Sequence, residues 1–585
     1  MEKKSWNIKG LRKALQLVRP YKREFILCTV MALILAPLSA AGPYLINVMT
    51  DSYVVVGDID GLKTFALIYL AILILLVFFR YSFIYRTNVL GQNLIRDLRT
   101  RIFDHLSRLH LGYFDKTPVG QSTTRTINDT ETINTMFSQG LIPMMADVLT
   151  LIAFVIAMIY TNVKLTLISF MVIPFLIVAS IIFTRNVKKA YRKLRAELAK
   201  MNAFLQERIT GMSVIQIFNA EDQEMRNFKA INRAYTQENI NNIFYYAIFL
   251  PIVEIVSATA LAIMVWWGAR DVVTGHMELG DLVAFPLYLS GMFRPIRMLA
   301  DKFNHLQLGI VATDRVFSAL GVESIIEDKG GQVAQKLYGK IEFENVDFSY
   351  VINQPILKNI SFNIEPGQSL ALVGSTGSGK TTIINLLSRL YDINDGHIKI
   401  DGVDIKDYKL NALRRRMAVV LQDVFLFRGT LFENITLMEE GITKQQVIEA
   451  AKMIGAHEFF ERLPEEYDFL VTERGSNLSM GQRQLVSFVR ALVFDPDILI
   501  LDEATSSIDV ETEAVIQYAI EKLIAQRTSI IIAHRLSTVR HANKILVMER
   551  GEVAQQGNHE TLIKDKAGLY YGLNQMQLKT VITSE

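Results

Sequence analysis

Cysteine is almost absent from this chain. Among 585 residues there is one, Cys28, set in an apolar run. That excludes an internal disulfide and leaves no thiol partner at metal-ligand spacing. An excess of one charge sign is missing too: 62 Lys and Arg stand against 59 Asp and Glu, a net charge of +3. A general nucleic-acid-binding surface therefore has no support, and no nucleic-acid partner is expected. Nor is a cleavable leader expected. The first apolar run starts only after about two dozen basic, amphipathic residues, is too long for a signal-peptide core and is followed by more such runs. No peptidase segment precedes it, so nothing points to a peptide cargo with a leader.

Apolar residues, by contrast, make up 50% of the chain, and the mean hydropathy is +0.24. The excess lies before residue 300. A bilayer core needs about 20 apolar residues per helix. Residues 25–50, 64–79 and 165–184 carry no charge, 132–163 hold only Asp147, and 239–269 hold only Glu254. A weaker run at 282–293 must borrow length from its flanks. The reading is six spans, at about 25–49, 64–86, 138–162, 165–184, 243–268 and 279–300. Lys3, Lys4, Lys9, Arg12, Lys13, Arg19, Lys22 and Arg23 precede the first span, while the loops after spans one, three and five offer little beyond Lys63, Lys164 and Arg270. Basic residues stay on the cytoplasmic side, so both termini are expected there. The inner connections, about 89–131 and 185–238, are long and read as helix, with Leu98, Ile102, Leu106 and Leu109 near helical spacing. They are expected to act as levers rather than inert stalks. Asp147 and Glu254 admit two readings, a site for a cationic substrate or proton, or pairing with a polar neighbour for structure. Arg294 and Arg297 mark the inner end of span six.

The polar stretch 319–338 reads as a linker between a membrane part, 1–318, and a nucleotide-binding domain, 339–585. After it, IEFENVDFSY alternates like a strand, and a Pro-Gly turn splits two apolar runs. SLALV runs into GSTGSGKTT, residues 374–382, and a helical pattern follows. Strand, glycine loop and helix are the context that a phosphate-binding loop requires. Its backbone N–H groups and the helix start attract phosphate. Lys380 adds a full charge, and the Thr381 hydroxyl is suited to Mg²⁺. ILILD ends in Asp502, a second Mg²⁺ ligand. Glu503 follows, placed to orient or deprotonate water. The run SIIIA ends at His534, within reach of a γ-phosphate.

These residues resemble the ATP-binding cassette family, in its exporter-type half-transporters. The resemblance covers nearly the whole chain and implies a membrane α-helical bundle of six transmembrane helices with long cytoplasmic extensions, fused to an α/β P-loop nucleotide-binding domain. By resemblance, the loop Gly374, Ser375, Thr376, Gly377, Ser378, Gly379, Lys380, Thr381 and Thr382 holds ATP, and Tyr350 stacks on its adenine. Gln422 senses Mg²⁺, and LSMGQ, with Ser479, Gly481 and Gln482, is the signature that meets the γ-phosphate held by an opposite subunit. Asp509 ends the loop that crosses the dimer interface, Glu503 is the catalytic carboxylate and His534 the switch histidine. TERGSN, 472–477, matches an element that meets the coupling helices. FDKTPVGQSTTRTINDT, 114–130, and ERITGMSVIQIFNAED, 207–222, resemble the two coupling excursions. A helical lobe is implied around 430–485. One departure is visible: Met480 stands where the family usually has glycine, and a glycine-only backbone angle there would tax methionine. The implied function is ATP-driven export of a hydrophobic or amphipathic drug or lipid by alternating access, with ATP and Mg²⁺ as cofactors. The partner is a second half-transporter, a homodimer favoured over a heterodimer, in a bacterial plasma membrane. The alternative is an ATP-gated channel or regulator that does not pump. A soluble ATPase is excluded by the six spans.

Overall fold

The computed structural model describes residues 8–323, 326, 328, 330–502, 510–525, 527–532 and 539–575. The chain divides into two compact units. One comprises Met1–Leu106 with Gly120–Gly321, the other Ser107–Val119 with Val322–Glu585.

The first unit is all helix. Its elements are α1 (Ile8–Val18), α2 (Lys22–Met49), α3 (Ile59–Ser107), α5 (Val119–Thr124), α6 (Thr130–Thr135), α7 (Ile142–Thr161), α8 (Val163–Phe170), α9 (Ile173–Thr210), α10 (Met212–Ile217), α11 (Glu221–Val273) and α12 (Leu279–Leu320). The short α4 (Leu111–Lys116) belongs to the second unit. Among the described residues five helical paths are long and apolar enough to cross a membrane: Gly10–Val54, Ile59–Ser107, Val119–Thr161, Val163–Thr210 and Glu221–Val273. α12 is a sixth long helix of 42 residues with Pro286 and Pro295 inside it. Arg294, Asp301 and Lys302 cut its apolar run short. At 1.5 Å per residue, α3 reaches about 74 Å and α11 about 80 Å, far beyond a bilayer core of about 30 Å. The inner connections are therefore helical continuations of the spans.

Helix packing follows the apolar faces. Leu98 and Ile102 of the α3 extension are buried with Ile133, Met136, Phe137 and Val316. Phe183 of α9 stacks on Phe249 of α11, centroids 3.9 Å apart. The α5–α7 path is widened by π turns at Arg125–Asp129 and Met136–Leu141. Charge inside the apolar layer is neutralised: the Lys302 ammonium donates to the Asp147 carboxylate, and the two side chains are only 14% and 20% exposed. Asp147 is thus taken by a structural partner. Glu254 is exposed on the single chain.

The second unit is α/β. Its strands are β1 (Ile341–Phe348), β2 (Leu357–Ile364), β3 (Ser369–Gly374), β4 (Asp395–Ile400), β5 (Val403–Asp404), β6 (Met417–Val420), β7 (Gly429–Thr430), β8 (Leu470–Val471), β9 (Ile498–Asp502), β10 (Thr528–Ile532), β11 (Lys544–Glu549) and β12 (Glu552–Gly557). Its other helices are α13 (Lys380–Leu387), α14 (Leu410–Arg415), α15 (Leu431–Thr436), α16 (Lys444–Met453), α17 (His457–Glu461), α18 (Met480–Val493), α19 (Val510–Ile524) and α20 (His559–Leu562). Six strands order as β12-β11-β3-β10-β9-β6, and four as β2-β1-β4-β5. β11, β3, β10, β9 and β6 are parallel, with β12 antiparallel at the edge. β10 is buried throughout and β9 nearly so, as strands covered on both faces must be. The β1–β4 sheet alternates instead, and Phe343 stacks on its cross-strand partner Phe362 at 4.5 Å. One core joins α18, α19 and the α15–α17 lobe to the six-stranded sheet, and another joins both sheets and α13.

Candidate functional site

Register places the chemistry at one edge. Leu372 of β3 pairs with Ile532 of β10, which pairs with Asp502 of β9, and Val420 of β6 pairs with Leu501. The phosphate loop, Gln422 and Asp502 therefore leave the carboxyl ends of neighbouring parallel strands, where open α/β sheets bind ligands. Glu503, Asp509 and His534 lie outside the described residues.

The loop itself is shaped by two glycines in left-handed conformations, Gly377 at φ +80° and Gly379 at φ +105°. A side chain at Gly379 would also run into Leu357, 2.5 Å away. Gly374 is needed for closeness instead: a Cβ there would lie 2.3 Å from the Met548 carbonyl oxygen. Ser375, Thr376 and Gly377 form the exposed rim, while Ser378, Gly379 and Lys380 are buried. Lys380 opens α13, and its Nζ donates to the carbonyls of Gly374 at 2.8 Å and Ser375 at 2.9 Å. Burial holds the Lys380 ammonium below its usual range, and the Asp502 carboxylate pulls it back up. The two groups thus share one electrostatic environment. Ser378 Oγ is buried and has no partner among the described residues.

The Thr381 hydroxyl, the Asp502 carboxylate and the Gln422 amide are all hard oxygen donors, the set that Mg²⁺ accepts beside phosphate oxygens. Among the described residues no cluster of three His, Cys, Asp or Glu could hold a metal unaided. The residues present therefore fit Mg²⁺ that arrives with a nucleotide.

Tyr350 sits over α13. Its hydroxyl donates to Thr382 Oγ1 at 3.3 Å and accepts from Asn385 Nδ2 at 3.2 Å, and its ring meets Tyr391 edge-on at 4.9 Å. Thr382 is buried and so engaged by Tyr350.

The signature residues start α18. Ser479 is the N-cap: its Oγ accepts from Gln482 N at 3.2 Å, and Gln482 Oε1 accepts from Ser479 N at 2.9 Å. This reciprocal capping box fixes the helix start and leaves Ser479 exposed, with Gly481 buried behind it. Met480 is the first helical residue and is absent from the positions with positive φ. The expected strain is therefore not there, because a helix N-terminus asks for an ordinary right-handed angle. The 472–477 turn is pinned by Asn477 Oδ1, which accepts from Thr472 N at 3.0 Å.

The family model for the ABC transporter transmembrane region matches residues 25–296, and that for the ABC transporter matches 357–506. A putative multidrug export ATP-binding/permease protein of Bacillus subtilis is 35% identical over 94% of this chain and 97% of its own length. The chain belongs to the ABC transporter family. An ATP-dependent lipid A-core flippase of Syntrophus aciditrophicus is 33% identical, covering 97% of this chain and 94% of that protein. A solved bacterial Atm1-family ABC exporter with ATP bound superposes with a TM-score of 0.77 at 28% identity, over 95% of this chain and 98% of that one. This ABC transporter is an integral membrane protein with a fused nucleotide-binding ATPase domain, and ATP hydrolysis drives its transport.

Two residues escaped the sequence reading. Asp115 of α4 accepts a hydrogen bond from the Tyr391 hydroxyl. Asp115 lies in the 114–130 segment singled out above, but nothing there names Tyr391 as its partner, and 276 positions separate the two, beyond the reach of any periodicity.

Proposed function

We propose that this ABC transporter exports a hydrophobic or amphipathic drug or lipid as a homodimer, by alternating access, in a bacterial plasma membrane with both termini cytoplasmic. The observation that carries the dimer is the start of α18. Ser479 is exposed at the start of α18, and its capping box satisfies the N–H groups of Ser479 and Gln482 but not those of Met480 and Gly481. An anion belongs at such a helix start. A second copy would bring one, the γ-phosphate on its own phosphate loop, and receive the same in return.

Two uncovered apolar surfaces support the same reading. Val214, Ile217 and Phe218 at α10 are 57%, 74% and 76% exposed, and Leu421, Phe425 and Phe427 beside Gln422 are 52%, 52% and 58% exposed. In a symmetric pair, each copy's α10 would cover the other's apolar loop.

The roles follow. Gly374–Thr382 and Lys380 hold the phosphates, and Tyr350 carries the base. Thr381, Asp502 and Gln422 hold Mg²⁺, which when bound neutralises phosphate charge. Glu503 orients the attacking water, His534 steadies the γ-phosphate, and Asp509 lies on the loop crossing between copies. Closure needs ATP to favour the closed dimer. Swinging a two-state balance from 1:99 to 99:1 takes about 5.5 kcal/mol, within reach of two sandwiched nucleotides. The relatives' printed substrates, multidrug and lipid A-core, support an apolar or amphipathic cargo.

The test is uptake into inside-out vesicles of Hoechst 33342 and of a fluorescent phospholipid. Accumulation of either against its gradient with ATP, lost in Glu503→Gln, is expected. ATP-dependent equilibration without accumulation would overturn pumping in favour of a gated channel.

A further inference from the structure

The coupling segment α4 is held by the side chain of Tyr391 in the nucleotide domain. The Tyr391 hydroxyl donates to the Asp115 carboxylate. The Tyr391 ring lies against the backbone of Gly112, where a Cβ would meet Tyr391 Cε1 at 3.1 Å. A side chain at Gly112 would push the ring back by a few tenths of an ångström. So Tyr391 holds α4 at two points, about one helical turn apart.

The Tyr391 ring also packs against the aromatic pair Phe348 and Tyr350. Tyr350 meets it edge-on, centroids 4.9 Å apart and planes at 84°. Phe348 packs against both rings, at 4.8 Å from Tyr350 and 5.9 Å from Tyr391. Tyr350 is anchored in turn on Thr382 and Asn385 of α13, the helix that begins with Lys380. Edge-to-face contacts have a preferred geometry worth about 0.5–1.5 kcal/mol, so turning one ring favours a matching shift of the next. Burial first, and the Asp115 carboxylate second, hold the Tyr391 hydroxyl well above the usual tyrosine range, so it stays a proton donor.

We propose that Tyr391 is a positioning residue that transmits occupancy of the base platform at Tyr350 to Asp115 on α4, and so sets the position of the segment leading into the membrane helices. The inference rests on the reading that Tyr350 carries the base. A base stacked on Tyr350 fixes that ring, the fixed ring orients Tyr391, and Tyr391 fixes α4. Without the hydroxyl the nucleotide still binds, but α4 does not respond.

The test uses the full chain in lipid nanodiscs, with a bimane label on Lys116→Cys. Lys116 is exposed on α4, and Cys28 is buried. Tyr391→Phe, Asp115→Ala, the double variant and Tyr350→Ala are compared for KM for ATP, kcat and the ATP-induced change in bimane emission. Tyr391→Phe and Asp115→Ala are each expected to keep KM within about twofold, to lose about tenfold in kcat and to lose the bimane response. The double variant is expected to be no worse than either single one, since both remove the same bond. An intact bimane response, additive losses, or a KM that rises with the fall in kcat would overturn the relay. Tyr350→Ala separates the underlying reading: an unchanged KM there refutes the base platform, whatever the Tyr391 variants do.

Discussion

Replacing Asp147 by Asn isolates the cost of one ion pair inside the helical unit. Asp147 and Lys302 are only 20% and 14% exposed, so full rehydration of either would need the bundle to open. Removing one partner of such a pair strands the other charge, at a cost of about 3–5 kcal/mol. A unit of this size shifts its midpoint by about 2 °C per kcal/mol, so Asp147→Asn is expected to melt about 6–10 °C lower. Asp147→Leu with Lys302→Met removes both charges and is expected to stay within about 2 °C of the parent, because an apolar pair avoids the desolvation cost. The chain supplies its own reporter. Cys28 is its only cysteine, and it is fully buried with Ala32, Leu35, Phe83, Leu90 and Ile142. Its reaction with a thiol-reactive coumarin on heating therefore reports loss of that packing. An unchanged midpoint in Asp147→Asn, or a double variant weaker than the single one, would refute the structural role and reopen Asp147 as a substrate group.

Other consequences are equally direct. Met480→Gly is expected to leave ATP turnover within about twofold and to cost less than about 1 kcal/mol in urea unfolding of the nucleotide domain, since the first helical position needs no glycine. Gly374→Ala is expected to weaken binding of a fluorescent ATP analogue more than tenfold, because its Cβ would meet the Met548 carbonyl at 2.3 Å. His559 donates to or accepts from Tyr570 Oη at 2.7 Å. Burial, then Arg540, lower its pKa, with Glu560 opposing. A histidine with a depressed folded pKa takes up more protons on unfolding, so its contribution to stability is present above the unfolded value of about 6.5 and declines below it. Hydrogen-exchange protection factors across 552–575, corrected for the intrinsic rate at each pH, are therefore expected to fall between pH 7 and 5.5, and less so in His559→Gln.

How much of this was legible depended on how local each feature is. SLALV, ILILD and SIIIA announce buried parallel strands by their unbroken apolar runs, and the glycine loop after SLALV announces a phosphate site. Leu98 and Ile102 disclose the buried face of the α3 extension. What the sequence withheld is long-range. Nothing local says that β3 lies between β10 and β11, or that Lys302, just past the expected end of span six, neutralises Asp147. The contact between Tyr391 and Asp115 is of the same kind. Met480 failed for another reason: a family pattern records which residue is usual at a position, but not the dihedral it adopts there. In an α18 capped by Ser479 that dihedral is ordinary. The π turns at 125–129 and 136–141 leave no compositional mark, since they shift hydrogen bonds without changing which face is apolar.

The most direct test of the account is ATP hydrolysis by this chain purified alone in lipid, beside Glu503→Gln, with the nucleotide retained per dimer counted after rapid gel filtration. Turnover in the parent, none in the variant, and two ATP held per variant dimer are predicted. Undiminished turnover in Glu503→Gln, or a folded, ATP-binding parent that neither turns over nor pairs with itself, would contradict the account of a self-sufficient ATP-driven homodimer.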